Sequence, residues 1–182
     1  MEQKGLMIFA DGFEDVEGIA TYDVLHRAGI DVTRVGFDNK NVITAHGNLI
    51  TFEKRLVDVD YQNFDFLIIP GGPAVFRVLD NSKLIEEIIT HFVNKNSLVA
   101  TICAAPLLVG KLGFLKNKKY TCFPGCDVKI IGGIKEDVPI VVDGNFITAR
   151  SMYYSCDFGL EIIRFLNPSK YETIKNSIKG VE

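Results

Sequence analysis

The stretch LVATICAAP, residues 98–106, decides the fold. Leu98 to Ile102 carry no charge and read as a short strand buried on both faces. Pro106 suits the first turn of a helix, where its missing N–H would have had no partner anyway. A strand that passes straight into a helix turns sharply at the corner and exposes the corner side chain, here Cys103. The helix is expected over Ala104 to Gly113. Its N-terminus would offer partial positive charge and free N–H groups, which favour a thiolate and lower a cysteine pKa below ~8.5. The other reading of the same residue is a buried core thiol, since free cysteine is among the most buried residue types.

Outward from this elbow, short apolar strands alternate with amphipathic helical stretches. Towards the N-terminus lie a helix over Lys83 to Asn94 and a strand over Phe64 to Ile69 that ends in Pro70-Gly71-Gly72. Before these come a first strand over Gly5 to Ala10, a helix over Asp15 to Ala28 closed by Gly29, and a strand over Asp31 to Phe37. Val42 to Glu53 alternates loosely around His46-Gly47-Asn48 and reads as a hairpin or edge pair. Towards the C-terminus the pattern gives a weak strand near Tyr120 and a short helix over Asp127 to Ile131. Strands over Val138 to Val142 and Phe146 to Thr148 follow, joined at Asp143-Gly144, then a helix over Tyr153 to Leu166 stopped by Pro168. This alternation argues an α/β fold with a mainly parallel sheet and helices on both faces. With 182 residues and no repeat or linker, one domain spanning 1–182 fits.

In an open parallel sheet, sites form at the carboxyl ends of the strands. Three such ends carry suggestive residues: the segment DGFEDVE at 11–17, the PGG turn at 70–72, and Cys103-Ala104-Ala105-Pro106. Gly71 and Gly72 let backbone approach a bound group and could aim N–H groups at an oxyanion, or they serve only a tight turn. Glu14 and Asp15 suit a helix N-terminus. Glu17 stands between Val16 and Gly18-Ile19-Ala20, so its carboxyl is expected at the sheet edge, with a raised pKa and a proton to share with a thiolate.

These segments, with the VATICAAP elbow and the ITARS strand end at 147–151, resemble the DJ-one/ThiJ/PfpI superfamily, in the family's order and over nearly the whole chain. The resemblance implies a flavodoxin-like three-layer sandwich of the class I glutamine-amidotransferase-like kind, usually a homodimer. It implies Cys103 as the reactive cysteine, Glu17 as its hydrogen-bonding glutamate, and Gly72 with Ala104 as oxyanion donors. Gly71, Phe123 and Arg150 are expected around the substrate, Arg150 binding an anion or a carboxylate or making a plain salt bridge. Two departures stand out. Peptidase-like members have histidine after the cysteine, where this chain has Ala104, and a histidine of the glyoxalase branch corresponds to Phe123. The three histidines, His26, His46 and His91, are far from the elbow in sequence; His46 is the one weighed for the site.

Composition excludes several classes. A formal net charge of −3 gives no footprint for nucleic acid or an anionic membrane. No apolar run approaches the ~20 residues of a membrane span. The four cysteines are too few for a disulfide framework, and with an N-terminus lacking a cleavage-site pattern they suggest a reducing cytoplasm. Cys122 and Cys126 lack further ligands nearby for a metal, so none is expected; Cys122 is a candidate resolving thiol and Cys156 a core one. No phosphate-cradling motif is present, and no cofactor is expected. Two functions remain open: an enzyme in which Cys103 adds to a small reactive carbonyl while Glu17 moves the proton, and a redox sensor or stress-protective protein in which an oxidant acts on Cys103. A cysteine peptidase or amidase is disfavoured by Ala104.

Overall fold

Three strands form the dry centre of the molecule because both of their faces are covered. They are β1 (Lys4–Phe9), β6 (Phe66–Ile69) and β7 (Leu98–Ile102), and apart from Lys4 every residue in them is buried. The computed structural model describes residues 3–181. Between β1 and β6 the chain forms β2 (Asp31–Gly36), the short pair β3 (Asn41–Ile43) and β4 (Leu49–Thr51), and β5 (Lys54–Arg55). After β7 come β8 (Lys119–Tyr120), β9 (Ile134–Lys135), β10 (Ile140–Asp143) and β11 (Phe146–Ala149). The main sheet has seven strands in the order β10-β11-β7-β6-β1-β2-β5. All neighbours are parallel except β10, which folds back antiparallel on β11. β3 with β4 and β8 with β9 form two small separate sheets.

The order places a switch point at the centre. From β1 the chain crosses to β2 through α1 (Asp15–Arg27); from β6 it crosses the opposite way to β7 through α2 (Lys83–Asn94). Right-handed crossovers running in opposite directions put their helices on opposite faces. The carboxyl ends of β1 and β6 therefore open on a crevice that neither helix covers. On the α1 face, α4 (Ser155–Leu166) packs against α1, and α5 (Tyr171–Lys179) packs against α4. The helices carry ordinary signals: Glu14 caps α1 by accepting from the Glu17 N–H at 2.8 Å, and Ser82 caps α2 by accepting from the Ile85 N–H at 3.3 Å. Ile85, Ile88, Ile89 and Phe92 form the buried stripe of α2.

Four local expectations change. The helix after Cys103, α3, covers only Pro106–Gly110, and residues 111–117 continue as turns. The segment expected as a helix over Asp127 to Ile131 has turns only as far as Lys129, and the Ile131 N–H bonds the Gly110 carbonyl at 3.1 Å rather than a partner in its own segment. The loop between β10 and β11 is Gly144-Asn145, with Asp143 still paired to Phe146. Helix α5 was not anticipated. No helix among the described residues is long and apolar enough to cross a membrane.

Candidate functional site

Cys103 adopts φ 63°, the left-handed region that non-glycine residues enter at a cost of roughly 1–2 kcal/mol. The neighbours hold it there. Its N–H still donates to the Ala149 carbonyl of β11 at 2.8 Å, and its own carbonyl accepts from the Phe123 N–H at 2.8 Å. The next peptide turns at once, with the Ala105 N–H donating to the Ile102 carbonyl at 3.0 Å. Strained backbone held from both sides in this way clusters at active sites and strand-to-helix elbows.

Glu17 stands behind this elbow. It lies in the first turn of α1 and is 1% exposed. One carboxyl oxygen, Oε2, accepts the Gly71 N–H at 2.8 Å. The other, Oε1, has no hydrogen-bond partner, which leaves it free to carry a proton towards the thiol. Burial pushes the carboxyl up to about 7; the adjacent Cys103 thiol and the Gly71 N–H oppose this, and the nearby Glu14 carboxylate adds to it. Gly71 makes the close approach possible. A Cβ there would stand 2.7 Å from the Cys103 Cβ, from Glu17 Oε2 and from the Ile102 carbonyl oxygen.

In front of the thiol is a cleft of about 350 Å³ lined by Gly72, Pro73, Phe76, Arg77, Cys103, Ala104, Phe123 and Cys126. Two backbone donors line it. Neither the Gly72 nor the Ala104 N–H bonds an oxygen among the described residues, and the Gly72 N–H faces the sulfur, where it favours the thiolate. Gly72 has φ 92°, and a Cβ on it would lie 2.5 Å from the Glu14 nitrogen, so only glycine fits. Burial and the Glu17 carboxylate drive the Cys103 pKa up. This is opposite to the direction expected from a helix N-terminus. The five-residue α3 is too short to supply a large dipole, and the Glu17 carboxylate opposes the thiolate. The thiol and carboxyl titrate as a coupled pair: the thiolate is favoured when Glu17 keeps its proton and opposed when it does not.

A family model described as the DJ-1/PfpI family matches residues 3–165. The chain belongs to the DJ-1/PfpI family. It is 36% identical over 166 residues to an uncharacterized protein of Methanocaldococcus jannaschii, covering 88% of this chain and 81% of that one. It is 37% identical over 150 residues to the Pyrococcus furiosus protein named Deglycase PfpI, covering 81% and 89%. Protein dj-1beta of Drosophila melanogaster is 30% identical over 184 residues, covering 100% and 97%. The crystal structure of that Drosophila protein superposes with TM-score 0.90 at 29% identity over 100% of both chains. Two further Pyrococcus relatives are also named deglycases.

Within this DJ-1/PfpI chain the structure brings Cys103, Glu17, Gly71, Gly72, Ala104 and Phe123 together, though Gly71 lies beneath the cysteine rather than in the cleft. Arg150 stays outside the cleft: its guanidinium binds Asp137 at 2.6 Å in a neighbouring hollow that Cys122 also lines. Cys126 rather than Cys122 shares the cleft with Cys103; burial pushes the Cys122 thiol up to about 12. Cys156, read as core, is exposed. His46 lies 2.9 Å from Asp15 on the β3–β4 turn. Against its partial burial, hydrogen bonds from Thr44, Asn48 and His46 hold the Asp15 carboxyl down at about 2. Glu14, Asp15 and His46 bring potential metal-donor atoms within 4.8 Å of one another, but Glu14 and Asp15 are already bound to protein donors. Phe76 and Arg77 were missed as lining residues, because they reach the cleft from a π-helical turn that has no sequence signature.

Proposed function

We propose that this protein is a cofactor-independent enzyme that converts small reactive carbonyls to hydroxy acids through Cys103, the glyoxalase or deglycase type of chemistry. The observation that carries the reading is the strained Cys103 set between a buried carboxyl and two N–H groups that bond no oxygen among the described residues. With a 2-oxoaldehyde such as methylglyoxal, the sulfur bonds to the aldehyde carbon and the C=O pair moves to oxygen. That oxygen sits against the Gly72 and Ala104 N–H groups and takes the thiol proton by way of Glu17. Glu17 then removes the proton on the sulfur-bearing carbon and delivers it to the adjacent carbon, while the hydroxyl proton on the first oxygen passes to the ketone oxygen. The product is a thioester of a 2-hydroxy acid, and water releases lactate and the thiol. Oxidation at one carbon balances reduction at the next, so water is the only co-reactant. A carboxyl near pKa 7 suits both proton transfers.

The test is lactate formation from methylglyoxal. Wild type is expected to turn over and Cys103→Ser to fall to background; equal rates in the two proteins would end the reading. A second reading is favoured by the cleft's having no histidine among its lining residues. Here dilute peroxide oxidises the Cys103 thiol to sulfenic and then sulfinic acid, with Glu17 hydrogen-bonding the product. Stoichiometric oxygen gain at Cys103 without any lactate would select it.

A further inference from the structure

We propose that Arg77 gives the cleft a preference for carbonyl compounds bearing a carboxylate, the chemical class being a 2-oxoaldehyde with an acid group at its far end. The inference rests on the carbonyl reading for its substrate class, but the anion site stands on its own geometry. Immediately after Gly72 the chain forms a π-helical turn over Val75–Leu79, with the Asp80 N–H reaching back to the Val75 carbonyl at 2.8 Å. Such wide turns are rare and recur at functional sites. Ala74, Val75 and Leu79 are buried, so the turn is anchored from below and presents Phe76 and Arg77 to the cleft.

Arg77 is the one charged side chain lining that cleft among the described residues. It has no carboxylate within ion-pair distance among them. Its natural partner three residues on, Asp80, is buried and held by Lys111 and Lys129 instead. The guanidinium, planar and forked for carboxylates, is therefore left free in the cleft that holds the sulfur. Phe76 and Phe123, each 46% exposed, supply apolar edges between the two. A ligand with its carbonyl at Cys103, a short carbon chain along the phenyl edges and an anionic end at Arg77 matches all three features, and a cleft of about 350 Å³ holds a molecule of that size.

Two readouts test this. The first is alkylation of Cys103 by iodoacetate and by neutral iodoacetamide, read by mass spectrometry of the peptide. The iodoacetate-to-iodoacetamide rate ratio is expected to fall about fivefold in Arg77→Gln, to recover in Arg77→Lys, and to shrink with added salt in wild type. The second is kcat/KM for 4,5-dioxopentanoate relative to methylglyoxal, expected to fall by a similar factor in Arg77→Gln through KM. An alkylation ratio that is the same in wild type and Arg77→Gln overturns the proposal whatever the turnover. A ratio that shifts while neither carbonyl is turned over keeps the anion site and removes the carbonyl reading. Turnover of both compounds with no change in their ratio removes Arg77 as a specificity residue and leaves the enzyme reading intact.

Discussion

Glu17→Gln is expected to be more stable than wild type at pH 8, yet much slower in any reaction that needs Glu17 to move a proton. The carboxyl's ordinary pKa is 4.5 and burial raises it to about 7 in the fold. Between these values the folded protein holds a proton that the unfolded chain has lost, so stability falls as pH rises from 4.5 to 7 and stays reduced above. At ~1.4 kcal/mol per tenfold change in proton affinity, the fully ionised carboxylate costs the fold on the order of 3 kcal/mol. Glutamine is neutral and nearly isosteric. Its amide oxygen can still accept the Gly71 N–H, and its NH₂ can face the sulfur. Urea unfolding at pH 5 and pH 8 should show the gain at pH 8 alone. Alkylation of Cys103 should respond the other way from turnover. Removing the carboxylate charge lowers the thiol pKa, while loss of the proton carrier slows catalysis by about 100-fold or more. A Glu17→Gln protein less stable than wild type at pH 8 would mean that the carboxylate is ionised and satisfied in the fold.

Gly71→Ala is expected to damage the site severely. The backbone angle at Gly71 is not the obstacle; space is. The new Cβ would meet Cys103, Glu17 and the Ile102 carbonyl oxygen, all at 2.7 Å, and two of these belong to the strand and turn that carry the nucleophile. Relief requires the elbow and the glutamate to move apart. Overpacking of this kind costs about 1–3 kcal/mol. A displacement near 1 Å at a reacting group can cost on the order of 100-fold in rate. Gly113→Ala is the control. Gly113 has φ 82° with nothing within 4 Å of its would-be Cβ, so that variant should lose about 1 kcal/mol from backbone strain and keep its Cys103 chemistry. Equal effects of the two alanines on the alkylation rate would show that the Glu17–Gly71–Cys103 contact does not set reactivity.

Much of this architecture was legible because the decisive strands are short, apolar and ended by unusual residues. β7 and α2 run over the expected residues, and Cys103 stands at a strand-to-helix corner as LVATICAAP indicates. Glu17 was readable from its apolar neighbours Val16 and Ile19, although these proved half-exposed and it is Phe9, Phe13 and the sheet edge that bury the α1 face. What could not be read was set by distant contacts. The thiol's raised pKa comes first from its burial and then from a carboxyl 86 positions away in the chain, which together outweigh the local dipole that the elbow motif suggested. Asp127 to Ile131 has helical spacing, but its last N–H, on Ile131, is taken by Gly110. Helix α5 had a signal that was passed over: Ile174 and Ile178 stand one turn apart, and Gly180 closes the end in a left-handed conformation.

The grip on Cys103 also dictates when in folding the site can exist. Its N–H is held by Ala149 and its carbonyl by Phe123, segments 46 and 20 positions downstream, while Glu17 arrives from 86 positions upstream. Apart from the local Ala105–Ile102 turn, these contacts close long loops, and such closures come late relative to local helices. Until β11 docks beside β7, nothing holds the cysteine in its left-handed turn, and its thiol should behave as that of an ordinary unfolded chain. The surroundings that set Cys103 apart are thus a property of the finished topology rather than of any segment that carries it.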